Sequence, residues 1–256
     1  MLIKSNAEKN MSKVINRINL PARSRSYELC IKADALRFSK LYKESIKSYL
    51  DSIMLDRFHE EAYLGLATSY KHLKNFRKAI SILDKVIKIN NQNDMYYLEK
   101  GICYLSDGNP SEAIPCLIKA ITLNRNNLEA QIQLAIAHEL VDEADLSLMI
   151  YNKIIETNPE YLKAYYNKAA MLMGFEEYKD AALTFFKLIK RNPDYYKAYL
   201  GIAMCLDKLE KYPNAIRYYK KFLDLKKFSE DALFASKRIK ELKLLNGVKT
   251  NSLKLV

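Results

Sequence analysis

The hydrophobic and small positions of this chain return at a fixed interval of 34 residues. With Ala181 as reference, steps of 34 land on Ser45, Ala79, Ala113, Ser147, Ala181 and Ala215, all small. Twelve residues before each stand Ala33, Ala67, Gly101, Ala135, Ala169 and Ala203, again only Ala or Gly. Four residues after each come Tyr49, Leu83, Leu117, Tyr151, Phe185 and Tyr219, and eight after come Ile53, Ile87, Ile121, Ile155, Ile189 and Leu223. No insertion interrupts the six copies. A period of this length is the signature of stacked structural repeats, in which no unit buries its apolar face alone.

The spacing inside each copy is helical. Tyr165, Lys168, Ala169 and Leu172 follow i, i+3, i+4, i+7 and share one face. Ala181, Phe185, Leu188 and Ile189 make a second stripe. Small residues at 169 and 181 let two helices cross closely, and the larger ones fill the gap to the next copy. Breaks separate the helices: "GFEEY" after Met173, "SDGNP" after Leu105, "NPE" from Asn158 and "NPD" from Asn192. Pro159 and Pro193 do not continue the preceding helix. Each copy therefore predicts an antiparallel helix pair, and the chain an all-α array.

The residues Tyr165, Ala169, Leu172, Tyr178, Ala181, Phe185 and Pro193 of the fifth copy resemble the tetratricopeptide repeat family. The resemblance covers 26–229 as six units: 26–59, 60–93, 94–127, 128–161, 162–195 and 196–229. It implies a right-handed superhelical solenoid. It also implies a concave groove, lined by the first helices, that receives peptides or partner helices. Two copies depart from the pattern. The third has Pro110 at a usual aromatic position and Pro115 inside its second helix, where it removes one backbone bond. The fourth has Gln131 and His138 at usual large-apolar positions.

The ends differ from the array, as the ends of capped solenoids do. Residues 230–247 read as a capping helix, with Ser229 as its cap and Asn246-Gly247 as its stop. Leu233, Ile239 and Leu242 are expected to cover the last unit. Residues 1–25 form a basic segment in which 7–20 can place Met11, Val14, Ile15 and Ile18 on one helical face, and 248–256 form a basic tail.

Charge sharpens this picture. The net charge is +12, of which residues 1–25 carry +5 and residues 237–256 another +5. The array between them is nearly neutral. A nucleic-acid-binding solenoid needs a basic stripe along its length, so nucleic acid held by the basic termini is the alternative reading. A regulatory subunit of a partner enzyme is another. No apolar run approaches the length of a bilayer span. The N-terminal stretch lacks the apolar core of a secretory signal. Cys30, Cys103, Cys116 and Cys205 show neither C-x-x-C nor zinc spacing. Reduced thiols and a cytoplasmic location are the expectation.

No catalytic, cofactor or metal constellation is legible. There is no Gly-rich phosphate loop, and "HEL" at His138 lacks the second His of a metalloprotease helix. The expected function is a non-catalytic adaptor that binds a protein or peptide segment. Its groove slots, four per first helix, are expected at Glu61, Leu64, Thr68 and Lys71; Met95, Leu98, Ile102 and Leu105; Glu129, Ile132, Ile136 and Glu139; Lys163, Tyr166, Ala170 and Met173; and Lys197, Leu200, Met204 and Asp207. They are more apolar than a solvated face needs. Glu61, Glu129 and Glu139 lie in the earlier copies and Lys163 and Lys197 in the later ones, a polarity that can orient a bound segment. The family's set for a C-terminal carboxylate keeps only Asn167 and Lys197 here, with Ile132, Ile136 and Gly201 at its other places. A chaperone tail is therefore not the expected ligand.

Overall fold

The computed structural model describes residues 21–252, with the backbone alone for 246–252. Residues 1–20 and 253–256, including the helix expected over 7–20, lie outside the described residues. The described residues hold thirteen α-helices and no strand. They are α1 (21–38), α2 (Tyr42–Leu55), α3 (Glu60–His72), α4 (Phe76–Ile89), α5 (Asp94–Ser106), α6 (Pro110–Leu123) and α7 (Leu128–Leu140). Then come α8 (Ala144–Thr157), α9 (Leu162–Gly174), α10 (Tyr178–Arg191), α11 (Tyr196–Lys208), α12 (Tyr212–Leu225) and α13 (Glu230–Ser252). The chain divides into two compact units, Met1–Asp142 and Glu143–Val256. Within each, every described helix from α2 onward packs against its chain neighbour, and alternate helices meet at α3–α5, α5–α7 and α9–α11.

The period governs the backbone as strictly as the side chains. From α2 on, second helices start at 42, 76, 110, 144, 178 and 212, and first helices at 60, 94, 128, 162, 196 and 230. Each turn inside a pair holds one residue in the left-handed region: Lys40, Lys74, Gly108, Asp142, Glu176 and Glu210, again 34 apart. Only the third of these is glycine. Four junctions between pairs are Asx turns. Asp56, Asn90, Asn124 and Asn192 each accept, through the side-chain oxygen, the N–H two residues on, at 3.0–3.1 Å. The residue in phase near the start of α1 is Ala22, which cannot make that turn. The chain is accordingly helical from 21, ahead of the boundary expected at 26.

The core is built from the repeating positions. All six reference residues are fully buried, and so are the large residues four places on. The residues eight places on are half-buried. The position seven places on is the buried one: Ser52, Val86, Ala120, Ile154, Leu188 and Phe222. Close approach is real at Gly201, where an added Cβ would lie 2.4 Å from the Phe185 ring. Pro115 does not break α6, which runs unbroken from a Pro at its first position. Gln131 proves equivalent to the tyrosines that it replaces. Its Nε2 donates to the Arg125 carbonyl at 2.8 Å, as Tyr63 and Tyr97 donate to the carbonyls of Arg57 and Asn91, also six residues back.

Two expectations for the last helix need correction. α13 runs on to Ser252 through Asn246 and Gly247. A Gly-containing stop signal is a preference of about 1 kcal/mol, and nothing in the following residues enforces it. Leu233 does not cover the preceding helices but is 75% exposed, and the covering face is Ala232, Ala235, Ile239 and Leu242. The Ser229 cap is as expected, its hydroxyl accepting the Ala232 N–H at 3.1 Å.

Candidate interaction groove

Within each unit the slots recur at one register of the first helices. In the first unit, Leu64, Ile102, Leu105 and Ile136 are half-buried, Met95 is exposed, and Glu61 lies open to solvent. Leu98 and Ile132 are not groove residues: they are 3% and 0% exposed. Leu98 packs with Ala113, Leu117, Ala120, Ala130 and Ala137. Ala130 and Ala137 belong to α7, the next first helix, whose small residues let it close over Leu98. The second slot thus serves the stacking of first helices as much as the lining of a groove.

Most charges in these slots have a polar partner or stand in solvent. Lys71 is ion-paired with Glu99. Glu129 accepts from Gln133 Nε2 at 2.8 Å. Glu61 lies 3.6 Å from His59 Nε2. Glu139 is the exception. It is half-buried, and burial raises its pKa above the ordinary glutamate value. Its carboxylate has no hydrogen-bond or ion-pair partner among the described residues.

In the second unit, Tyr166, Met173, Leu200 and Met204 are half-buried against the core, while Lys163, Lys197 and Ala170 are exposed. Tyr166 lies 5.9 Å from the Phe185 ring and 5.7 Å from the Tyr195 ring, with Lys197 Nζ 6.0 Å from its centre. Asn167 is half-buried beside them. The slots expected from the sequence end at α11. α13 is in phase as a seventh first helix, and its slots are Asp231, Phe234, Arg238 and Glu241. Arg238 reaches back to Asp207 with two bonds, at 2.7 and 2.9 Å, and to Glu241 at 2.8 Å. Tyr219 donates to the same Asp207 carboxylate at 3.3 Å. These bonds hold the Arg238 pKa above its usual value. Above them opens a cavity of about 570 Å³ walled by Met173, Tyr178, Met204, Tyr212 and Phe234. Methionine and aromatic walls suit an adaptable apolar contact.

One buried cluster has the composition of a hydrolase site. Ser26 and Ser52 both lie on His59 Nδ1, at 2.7 and 3.1 Å. Each serine hydroxyl, however, donates to the other's backbone carbonyl, at 2.9 and 2.8 Å. That accounting places the imidazole proton on Nδ1, donating to the hydroxyls. Neither oxygen is activated, and all three residues are buried. The cluster ties α1, α2 and the start of α3 together. Burial pushes the Cys30 thiol up to about 11 and Cys103 and Cys205 to about 12, so none is a thiolate at neutral pH. Among the described residues no group of His, Cys, Asp and Glu is arranged to hold a metal, and no helix is long and apolar enough to cross a membrane.

Comparison with known proteins agrees with this architecture. Tetratricopeptide repeat models match residues 60–93 and 96–127, and a further one matches 166–230. No curated protein matches the chain. The crystal structure of MamA is similar at 26% identity, over 66% of this chain and 92% of that one, with a TM-score of 0.55. PilW, a type IV pilus biogenesis factor, is similar at 18% identity over 82% and 97%, with a TM-score of 0.71. YrrB, described as having an unusual peptide-binding site, is similar at 17% identity over 74% and 97%, with a TM-score of 0.53. With the helix pairs, their 34-residue phase and the matched segments in hand, the chain belongs to the tetratricopeptide repeat family.

Proposed function

We propose that this protein is a non-catalytic scaffold that binds a protein segment along the slot-bearing faces of its first helices. The observation that carries the reading is the row of half-buried apolar slots: Ile102, Leu105 and Ile136 in one unit, and Tyr166, Leu200 and Met204 in the other. Apolar groups at the surface of a packed array, rimmed by charge, are the usual form of a protein-binding face. Proteins of this family generally mediate protein–protein interaction, and the peptide-binding site named for YrrB supports the same reading. Affinity capture with quantitative mass spectrometry tests it, comparing the wild type with Met204→Asp and with Tyr166→Ala, each verified by circular dichroism. The proposal expects the same partner to be lost from both variants. A partner retained by both, but lost when outer second-helix positions such as Leu183 are changed, places binding on the other face.

A further inference from the structure

We infer that the first unit's groove recognises a basic, amphipathic protein segment, one of whose lysine or arginine side chains completes an ion pair with Glu139. The inference rests on the groove reading above and adds the chemistry of the occupant. Four observations support it. The charged slots of this unit are Glu61, Glu129 and Glu139 against Lys71 alone, although the chain as a whole carries +12. Lys71 is already held by Glu99, so it offers no free positive charge to an acidic ligand. Glu139 is half-buried with no hydrogen-bond or ion-pair partner among the described residues. Ile136, one turn before it on the same face of α7, and Ile102 and Leu105 on α5 supply half-buried apolar surface.

A carboxylate in that setting has lost part of its hydration without compensation, a condition that folding alone gives no reason to keep. A ligand cation removes the cost on binding, and a ligand anion raises it. The same arithmetic disfavours nucleic acid in this unit's groove, because phosphates would meet three carboxylates. Basic residues spaced among apolar ones on a helix or extended segment satisfy both the charge and the isoleucines.

The test uses the full-length chain and two fluorescein-labelled peptides, one an amphipathic sequence of leucine and lysine, the other the same sequence with glutamate for lysine. Fluorescence anisotropy should show binding of the lysine peptide alone. Glu139→Gln should weaken that binding about tenfold, the worth of one charge-assisted bond, and flatten its salt dependence. Equal binding of the two peptides, or unchanged binding by Glu139→Gln, overturns the inference about charge. The double variant Ile102→Ala, Ile136→Ala separates the two claims. If it loses the lysine peptide while Glu139→Gln keeps it, the groove stands and the charge inference falls. If it binds as the wild type does, the groove reading itself falls. A labelled RNA oligomer whose binding is weakened by the double variant also overturns the proposal.

Discussion

At the scale of residues, Glu139 makes a prediction that needs no ligand. Burial is the sole cause of its raised pKa, so the native chain holds this proton more tightly than the unfolded one. Stability therefore falls as pH rises from the unfolded value, about 4.3, through the raised native value, and the cost persists at neutral pH. Glu139→Gln should raise the Tm at pH 7, and the gain should vanish below about pH 4. Equal melting of the two proteins at pH 7 would mean that the carboxylate is solvated. The intra-pair turns carry a second prediction. An added Cβ at Gly108 meets nothing within 4 Å, so the cost of Gly108→Ala is the left-handed backbone alone. It should be about 1 kcal/mol by chemical denaturation. No loss would show that the turn tolerates Ala in that conformation. Legibility at this scale followed chemical uniformity. The reference positions were visible because all six are small. The more deeply buried position seven residues on was not, because it holds Ser, Val, Ala, Ile, Leu and Phe in turn. The αL residues also passed unnoticed, because five of the six are Lys, Asp or Glu rather than glycine.

At the scale of elements, α13 shows how an array ends. Its Lys237 and Lys240 stand in phase with Ala203 and Leu206 of α11, which are buried. Lysines there cannot receive another second helix, so stacking stops while Asp231, Phe234, Arg238 and Glu241 continue the phase of the slots. Read as a cap, α13 was recognisable from Ser229 and its apolar residues. Read as a seventh first helix it was not, because no paired second helix follows it in the sequence. The Leu98 and Ile132 errors have a related origin. Periodicity reports which face a residue shares, but not how closely the next copy packs over that face. The Asp207–Arg238 bonds should decide whether α13 stays docked. Arg238→Ala should cost about 2 kcal/mol, since the bonds are charge-assisted and Asp207 is largely buried. Amide exchange should quicken in α13 with little change in α9 and α10. Unaltered protection of α13 would assign its docking to Ala235, Ile239 and Leu242 alone.

At the scale of the whole molecule, the chain separates jobs by position. Buried small and aromatic residues set the period, and Asx and αL turns hold it between helices. Excess positive charge is kept in the terminal stretches, and the slots present apolar surface. The buried Ser26–Ser52–His59 cluster is occupied in tying helices together. The function proposed for this arrangement is binding through the slots. Site-specific photo-cross-linking tests this most directly. A photoreactive phenylalanine analogue is placed singly at Ile136 and Met204 on the slot faces, and at Met149 and Leu183 on exposed second-helix surfaces. After irradiation in cells that make the protein, discrete protein adducts are expected from Ile136 and Met204 and none from Met149 or Leu183. Adducts confined to Met149 and Leu183 would contradict binding through the slots.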